Sequence, residues 1–435
     1  MKQVLSKLTI IAVIVCVACM CFVGCENPQT QGTATPGTSA TAPNNTDEAT
    51  DTPTDEPTAT PPREIVEYPF AVSDINSLEY SFEDQQISQP FWYGNVMYNE
   101  CTTMIQRADG SITAKLLYKP TRIVCVRSND FKTVYEEGKD YTYDEETNTL
   151  KFVEGSSIKY FTQDDIHGVG VKQFDGTFDE NGKAAFGNAL YCVGPFLYEK
   201  QIAVTYAYDT ASAKKYTHAS FDETLLPKTL AKLRAGEKLS VFIYGDSIFT
   251  GCDSSITYGR EPKTPTFFNQ IKAALTAEYG SKITMRNPSV GGVQTAWGAE
   301  NVENLVSRKK PDLVILGFGM NDASTSAASV AANVQKMMES VLAQNPDAEF
   351  ILCSCMVANA DGGFLGNQGI FGAEYAKMVK PGVAFVDMFQ LHKEILETKD
   401  FISTSGNNIN HPNDWLARIY AANILCTLID YQAVK

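Results

Sequence analysis

The later half of the chain alternates apolar segments with amphipathic segments, and this pattern constrains the fold more than any other feature of the sequence. The apolar segments are short and nearly continuous, which is typical of strands buried on both faces. Strands of this kind joined by helices predict a parallel sheet covered by helices, with sites at the carboxyl ends of the strands. The predicted strands are 239–244, 283–286, 313–318, 350–356 and 383–386, and the predicted helices are 224–235, 266–279, 299–307, 327–343, 373–379 and 413–431.

Residues 64–215 have a different pattern, which predicts an all-β region. Short β-rich runs at 111–118, 123–126, 141–143, 150–153 and 202–208 are separated by turn pairs such as Asp109-Gly110 and Glu137-Gly138. This spacing favours a β-sandwich, with a jelly-roll-like arrangement as the specific expectation. No nucleophile, base and acid are grouped here, so we expect a non-catalytic role, with His167 and His218 as core or surface residues.

The first residues have the organisation of an export signal. Two lysines precede an apolar run at 8–23, which ends in Gly24-Cys25. The pattern resembles a bacterial lipoprotein signal peptide over 1–24, with Cys25 as the lipidated residue that anchors the chain outside the cell membrane. An ordinary secretory signal and a retained membrane anchor are the alternatives.

The segment that follows, 25–63, predicts a disordered tether. Between residues 26 and 62 there is no Val, Ile, Leu, Met, Phe, Tyr or Trp, and Thr and Pro dominate. A segment without apolar side chains cannot offset its chain entropy by burial.

Charge and cysteine usage exclude several functions. The formal net charge of −15 disfavours binding to the phosphates of nucleic acids. Beyond Cys25, an odd number of cysteines remains, which does not suggest a disulfide framework. Cys353 and Cys355 lie in an apolar run, so we expect them to be buried strand residues. The sequence has no His-Glu-x-x-His motif and no phosphate loop, so it implies no metal and no cofactor.

The first apolar strand of the later half runs into Gly245-Asp246-Ser247, which places a serine at the carboxyl edge of the sheet. A serine that starts a helix there receives the positive potential of the helix end, which suits a nucleophile. Gly-Asp-Ser is also an ordinary turn and helix-cap sequence, so this motif alone does not decide the matter.

Two further strand ends carry groups that can bind a negatively charged oxygen. The second strand leads to Gly292 and the third to Asn321. A glycine N–H can approach a reacting oxygen closely, and an Asn amide is a neutral donor. With the N–H of Ser247 these groups predict a three-donor oxyanion hole; tight turns and a helix cap are the structural alternative.

The candidate base is His411, which lies in a loop just before the last predicted helix. A histidine at this position can reach the serine. His392 lies in a helical run and is expected to be a surface residue.

These motifs together resemble the SGNH (GDSL-type) hydrolases over about 239–431. Ser247 with Gly251, Gly292 with Asn287, Asn321 in Gly-x-Asn-Asp, and His411 before Pro match four family blocks in order. The resemblance implies a flavodoxin-like three-layer domain, assigned to 216–435. It also implies a serine hydrolase in which Ser247 attacks and His411 accepts the proton.

The residue that orients His411 stays open. The family's acid lies three residues before the histidine, where this chain has Asn408. Asn408 itself, Asp414, Asp387 or a backbone carbonyl are the candidates. A Ser-His dyad behind a β-sandwich resembles carbohydrate esterase family two.

The resulting hypothesis is a surface-anchored serine esterase that removes acetyl or other short acyl groups from carbohydrate. Trp297, close to Gly292, is the candidate sugar platform, whereas Trp92 and Trp415 are expected to have core or interface roles. A lipase or thioesterase and a non-catalytic glycan-binding lipoprotein are the alternatives.

Overall fold

The computed structural model describes residues 70–83, 86–169 and 187–432, and all of them belong to one compact unit. The predicted signal peptide, Cys25 and the predicted tether lie outside the described residues. Within the described parts of the chain, none of the helices combines the length and apolar character needed to span a bilayer.

In the described residues up to 215, which we call the β region, there are eight strands and two one-turn α-helices. Its strands are β1 Val96–Gln106, β2 Ile112–Lys115, β3 Pro120–Ser128, β4 Val134–Tyr135, β5 Tyr141–Asp144, β6 Thr149–Phe152, β7 Tyr160–Phe161 and β8 Gln201–Tyr208, and its helices are α1 Gln163–Ile166 and α2 Pro195–Tyr198.

The strands of the β region are ordered β4-β3-β8-β1-β2-β6-β5, and β7 pairs with β1 in parallel. The long strand β1 pairs with β8 through its first part and with β2 through its last residues, so it serves two sheets. A register shift after Met97, where Asn99 has a φ of 45°, marks a bulge in this strand. The predicted all-β character is confirmed, and the jelly-roll connection stays a prediction.

The α/β region, residues from 216, has the predicted alternation. Its strands are β9 Leu239–Gly245, β10 Ile283–Arg286, β11 Leu313–Gly317, β12 Glu349–Cys353 and β13 Val383–Val386. Its helices are α3 Pro227–Arg234, α4 Ser247–Thr250, α5 Phe267–Tyr279, α6 Thr295–Leu305, α7 Ala327–Gln344, α8 Gln368–Ala376, α9 Met388–Leu396 and α10 Asp414–Leu425.

These five strands form one parallel sheet in the order β10-β9-β11-β12-β13. Side chains alternate between its two faces, as in Val241 and Ile243 on one face and Phe242 and Tyr244 on the other. Helices α3, α5, α9 and α10 cover the first face and α6, α7 and α8 cover the second. The predicted parallel sheet with two helical layers is confirmed.

The core on the first face of this sheet continues into the β region. Met97 and Tyr206 of the β region belong to the same buried cluster as Ile243 and Trp415 of the α/β region. The architecture changes between β8 and α3, but one core spans both regions, so the boundary at residue 215 stays a prediction.

Candidate active site

Ser247 lies where the central strand β9 turns into helix α4. Asp246 caps this helix, because its Oδ1 accepts the N–H of Ile248 at 3.0 Å. The turn needs glycine at the ends of two adjacent strands, since a Cβ on Gly317 would lie 1.9 Å from the ring of Phe249 and a Cβ on Gly245 would lie 2.2 Å from the carbonyl oxygen of Gly317. The serine is 2% exposed.

Ser247, His411 and Asp253 form a hydrogen-bonded chain. The Oγ of Ser247 is 2.8 Å from Nε2 of His411, and Nδ1 of the same ring is 2.5 Å from Oδ2 of Asp253. All three residues are buried. A carboxylate on Nδ1 fixes the tautomer in which Nε2 is free to accept the serine proton, which is the geometry of a serine nucleophile with its base and acid.

Asp253 lies in the turn that follows α4, with a φ of 64°. Its second carboxylate oxygen, Oδ1, accepts a hydrogen bond from the hydroxyl of Tyr258 at 2.8 Å. Its backbone carbonyl accepts one from the hydroxyl of Tyr198 at 3.3 Å. The carboxylate is therefore held in the direction of His411 by contacts on both its side chain and its main chain.

His411 lies near the end of the segment between α9 and α10, residues 397–413, which we call the histidine loop. The side-chain oxygen of Asn407 accepts the N–H groups of Ile409, Asn410 and His411 at 2.9, 3.0 and 3.2 Å. The hydroxyl of Ser405 donates to the carbonyl of His411 at 2.8 Å. Side chains thus replace the regular backbone bonds that a loop lacks.

The expected partners of His411 are elsewhere. Asn408, with a φ of 62°, donates its amide to the carbonyl of Leu190 at 3.0 Å. Asp414 accepts the N–H of Ser255 at 2.9 Å. Asp387 caps α9 and accepts the hydroxyl of Ser354.

The prediction that Asn408, Asp414, Asp387 or a carbonyl orients the ring is therefore wrong. Asp253 contacts Nδ1 instead. It lies shortly after the nucleophile in the chain, whereas the acid of the family lies three residues before the histidine. A clue in the sequence was an acidic residue one short turn beyond the Gly251 that ends α4.

The three expected oxyanion donors lie on loops that are bonded to one another. Val290 donates its N–H to the carbonyl of Gly245 at 3.1 Å, which ties the loop of Gly292 to the nucleophile strand. The amide of Asn321 donates to the carbonyl of Val293 at 3.0 Å, which ties the third loop to the second. Within the described chain, no hydrogen-bond acceptor faces the N–H of Ser247 or of Gly292. Both donors are therefore free to bind an oxygen from outside the protein.

Two buried aspartates complete this network. Oδ2 of Asp246 accepts the N–H of Met320 at 3.2 Å, and the carboxylate of Asp322 accepts both the N–H and the hydroxyl of Thr295. Burial raises the pKa of Asp246 to about 7, opposed by the N–H groups it accepts and by His411. Burial also raises the pKa of Asp322. The carboxylates thus hold the loops together at the cost of their own desolvation.

The tryptophans occupy different environments. Trp297 is half-buried, and its ring centroid is 6.3 Å from that of Tyr244. Trp92 stacks on His218 with centroids 4.8 Å apart, and Trp415 is buried. Trp92 and Trp415 therefore have the expected core positions, and sugar binding by Trp297 stays a prediction.

His392 is not a surface residue, contrary to the expectation from its helical run. It is fully buried, its Nδ1 accepts the N–H of Val357 at 3.1 Å, and its Nε2 is 2.9 Å from the hydroxyl of Thr404. Burial lowers the pKa of His392 to about 3, so the ring is neutral. The expectation failed because α9 packs on the sheet with the face that carries this histidine. Of the other two, His167 is exposed and bonded to the carbonyl of Asn188.

None of the seven cysteines among the described residues forms a disulfide, and Cys353 and Cys355 are buried as expected. Burial raises the pKa of both thiols well above its usual range. Among the described residues, no group of His, Cys, Asp and Glu side chains is arranged to hold a metal ion.

The parallel α/β sheet carries a Ser-His-Asp arrangement at its edge, which is the geometry of a serine nucleophile with its base and acid. Residues 243–419 match the model of the GDSL-like Lipase/Acylhydrolase family. The match confirms the resemblance drawn from the sequence motifs.

Several solved structures resemble the chain at low identity. One is a two-domain esterase (CEX) active on acetylated mannans, with 21% identity over 49% of this chain and 55% of that chain and a TM-score of 0.41. Another is Axe2, an acetylxylan esterase from Geobacillus stearothermophilus, with 18% identity over 45% of this chain and 95% of that chain and a TM-score of 0.37. The match spans about half the length of the two-domain esterase. Among curated proteins, no sequence matches this chain.

Proposed function

We propose that this protein is a surface-anchored serine esterase that removes acetyl or other short acyl groups from carbohydrate. The observation that carries the catalytic part is the contact of Ser247 Oγ with His411 Nε2 at 2.8 Å, with Asp253 on the other ring nitrogen. The order of the parallel strands supports a flavodoxin-like layout for the catalytic part.

In the proposed reaction, Ser247 Oγ attacks the ester carbonyl carbon as its proton moves to Nε2 of His411. The N–H groups of Ser247 and Gly292 and the amide of Asn321 hold the carbonyl oxygen while it is negatively charged. The ester C–O bond then breaks, His411 returns the proton to the sugar oxygen, and an acyl-serine remains. Water attacks this second ester with His411 again as base, which releases the carboxylic acid and restores Ser247.

The proposed carbohydrate substrate and the proposed surface anchor are supported by different observations. The proposed carbohydrate substrate follows from the resemblance of the layout, a β region before a GDSL-like domain, to carbohydrate esterase family two. The proposed anchor at Cys25 and the Thr/Pro-rich segment after it suit an enzyme that reaches polysaccharide outside the membrane.

The test compares ester hydrolysis by the full chain with hydrolysis by Ser247→Ala. Chromogenic acetyl, butyryl and long-chain esters define the acyl group, and acetylated mannan and acetylated xylan define the polymer. Ser307→Ala is the matched control, since Ser307 is buried in the α/β region with its hydroxyl bonded to Ser340. We expect acetyl esters to be the best substrates, Ser247→Ala to be inactive, and Ser307→Ala to keep its activity.

Other outcomes point to the alternatives. A clear preference for long-chain esters would identify a lipase or thioesterase. Binding of the polysaccharides without hydrolysis of any ester would identify a glycan-binding protein. The presence of Asp253 beside His411 removes the sequence-based reason for a degenerate site, which was the absence of an acid at position 408.

The anchor has its own test. In a bacterial host, Cys25→Ser should move the protein from the membrane fraction into the medium without a change in specific activity. Retention of a processed Cys25→Ser protein in the membrane would contradict the lipid anchor.

A further inference from the structure

The histidine loop is covered by the β region rather than by solvent. Lys399 forms a fully buried ion pair with Glu100 of β1, and Asp400 forms ion pairs with Arg107 and Lys115. One turn later, the hydroxyl of Ser403 is 2.8 Å from that of Thr103. The start of the loop is thus fixed to β1 and β2 by its side chains.

The middle of the loop is fixed by Gln201, the first residue of β8. The amide nitrogen of this fully buried side chain donates to the carbonyls of Ile402 and Ser405 at 3.2 and 3.0 Å. Ser405 in turn donates its hydroxyl to the carbonyl of His411. Gln201 is therefore connected to the backbone of His411 through a single intervening residue.

The end of the loop is fixed by the main chain of the β region. The carbonyl of Leu190 accepts the amide of Asn408 at 3.0 Å, and the N–H of Cys192 donates to the carbonyl of Asn407 at 3.3 Å. The side-chain oxygen of Asn407 accepts the N–H groups of Ile409, Asn410 and His411. Asn408, at the position of the family's acid, thus holds the loop to the β region.

The β region also contacts the other partner of His411. Tyr198 of α2 donates its hydroxyl to the backbone carbonyl of Asp253, and the guanidinium of Arg260 lies 3.1 Å from the centroid of the Tyr198 ring. Asp253 and His411 therefore each receive contacts from the β region.

We propose that the β region positions the His411–Asp253 pair against Ser247, and that Gln201 is the positioning residue that acts most directly on the histidine loop. This inference rests on the proposed function, because it assigns the β region a part in the same active site. A displacement of a catalytic group by about 1 Å is enough to cost roughly 10²-fold in rate. Because Gln201, Leu190 and Cys192 of the β region are among the hydrogen-bond partners of the histidine loop, catalysis depends on that region.

The test replaces Gln201 with Met in the full chain, which keeps most of the side-chain volume and removes both hydrogen bonds. Tyr208→Phe is the matched control, since Tyr208 lies in the same strand and its buried hydroxyl donates to the carbonyls of Phe91 and Gly94, within the β region. The measurements are the melting temperature, kcat and KM for a small acetyl ester, and the low-field proton resonance of the His411 Nδ1–H.

We expect both variants to lose a similar amount of thermal stability. Only Gln201→Met should lower kcat, by about tenfold or more with KM nearly unchanged, because the loss is one of alignment. The same variant should shift or broaden the imidazole resonance, whereas Tyr208→Phe should leave it as in the unaltered protein. Equal effects of the two variants on kcat, or an unchanged resonance in Gln201→Met, would overturn the proposal.

Two further readouts keep the inference separate from the proposed function. The imidazole resonance needs no substrate, so it tests positioning even if the protein hydrolyses no ester. If Gln201→Met does not fold, Asn408→Gly tests the same contact network, because glycine tolerates the φ of 62° and removes the bond to Leu190. An unchanged resonance and unchanged kcat in that variant would also contradict the proposal.

Discussion

The two halves of the active site are held in different ways. Ser247 and the loops of Gly292 and Asn321 follow directly from strand ends of one parallel sheet, and hydrogen bonds among these loops hold them together. His411 follows no strand, and its loop is fixed by Gln201, Leu190 and other groups of the β region. The nucleophile side, which comprises Ser247, Gly292 and Asn321, thus depends on the sheet that carries it. The base side, which comprises His411 and its loop, depends in addition on the β region.

The two sides of the active site should differ in how sensitive their geometry is to substitutions. A strand end is positioned by the whole ladder of the sheet, so one lost contact changes it little. A loop between two helices has no ladder, and each side-chain bond carries a larger share of its geometry. We therefore expect the base side to respond more sharply to substitutions remote from Ser247.

The largest expected effect separates the acid from the residue at the family's position. Asp253→Asn should lower kcat by about 10⁴-fold, because the amide cannot stabilise the imidazolium and can present its NH₂ to Nδ1. Asn408→Asp, in contrast, should not raise activity, since a carboxylate facing the carbonyl of Leu190 loses the hydrogen bond at 3.0 Å and gains repulsion. Steady-state kinetics on a chromogenic acetyl ester measures both. Full activity in Asp253→Asn would contradict the assignment of the acid.

The next effect tests the nucleophile side. Asn321→Ala should lower kcat by about 10²- to 10³-fold with little change in KM, because its amide meets a charge that exists only in the transition state. Asn333→Ala provides the control, since Asn333 donates to the hydroxyl of Thr295 on the same face and is not among the expected oxyanion donors. A change confined to KM would instead make Asn321 a substrate-binding residue.

A smaller effect is expected for Tyr258, whose hydroxyl donates a hydrogen bond to the acid Asp253. Tyr258→Phe removes the hydrogen bond to Oδ1 of Asp253, but Tyr258 is 43% exposed and water can replace its hydroxyl. We expect kcat to fall by less than about tenfold, which is 1.4 kcal/mol. A loss as large as that of Asp253→Asn would mean that the hydroxyl is indispensable to the acid.

His392, which joins the two sides, should affect stability rather than the rate of catalysis. His392 connects Val357, just beyond β12, with Thr404 of the histidine loop, and its pKa of about 3 in the folded protein compares with an ordinary value of 6.5. Its contribution to stability is complete above about pH 6.5 and is lost as the pH falls toward 3, because the unfolded chain then binds the extra proton. The slope is at most about 1.4 kcal/mol per pH unit.

Urea denaturation at several pH values measures this slope. The difference in the free energy of unfolding between the unaltered protein and His392→Gln should be constant above about pH 6.5 and shrink below it. Asp246 has the opposite dependence, since its raised pKa of about 7 makes the fold lose stability as the pH rises toward that value. Comparison with the variant isolates His392 from that opposing slope. A difference independent of pH would contradict the neutral buried state.

The nucleophile side was predictable from the sequence because it follows a general rule. Apolar strands identify the sheet, parallel strands place their carboxyl ends at one edge, and Ser247, Gly292 and Asn321 follow those ends. The position of Asp253 was not predictable in this way. It depends on a left-handed turn after α4 and on contacts from distant residues such as Tyr198.

The sequence also did not predict β1, the strand that joins the two sheets of the β region. Its residues Asn99, Glu100, Thr102 and Thr103 are buried, so the strand lacks the alternation of apolar and polar residues that marks a half-buried strand. These polar groups are buried because their partners, such as Lys399 and Ser403, come from the α/β region. A local pattern cannot reveal a partner so distant in the chain.

During synthesis, Glu100 leaves the ribosome long before Lys399, since 299 residues separate the two. A buried carboxylate without its cation costs several kcal/mol, roughly 3 to 5 when such a pair is broken. Strand β1 therefore cannot reach its final, water-free surroundings until the histidine loop has been made. We expect the β region, although translated first, to complete its folding only after the last third of the chain has emerged.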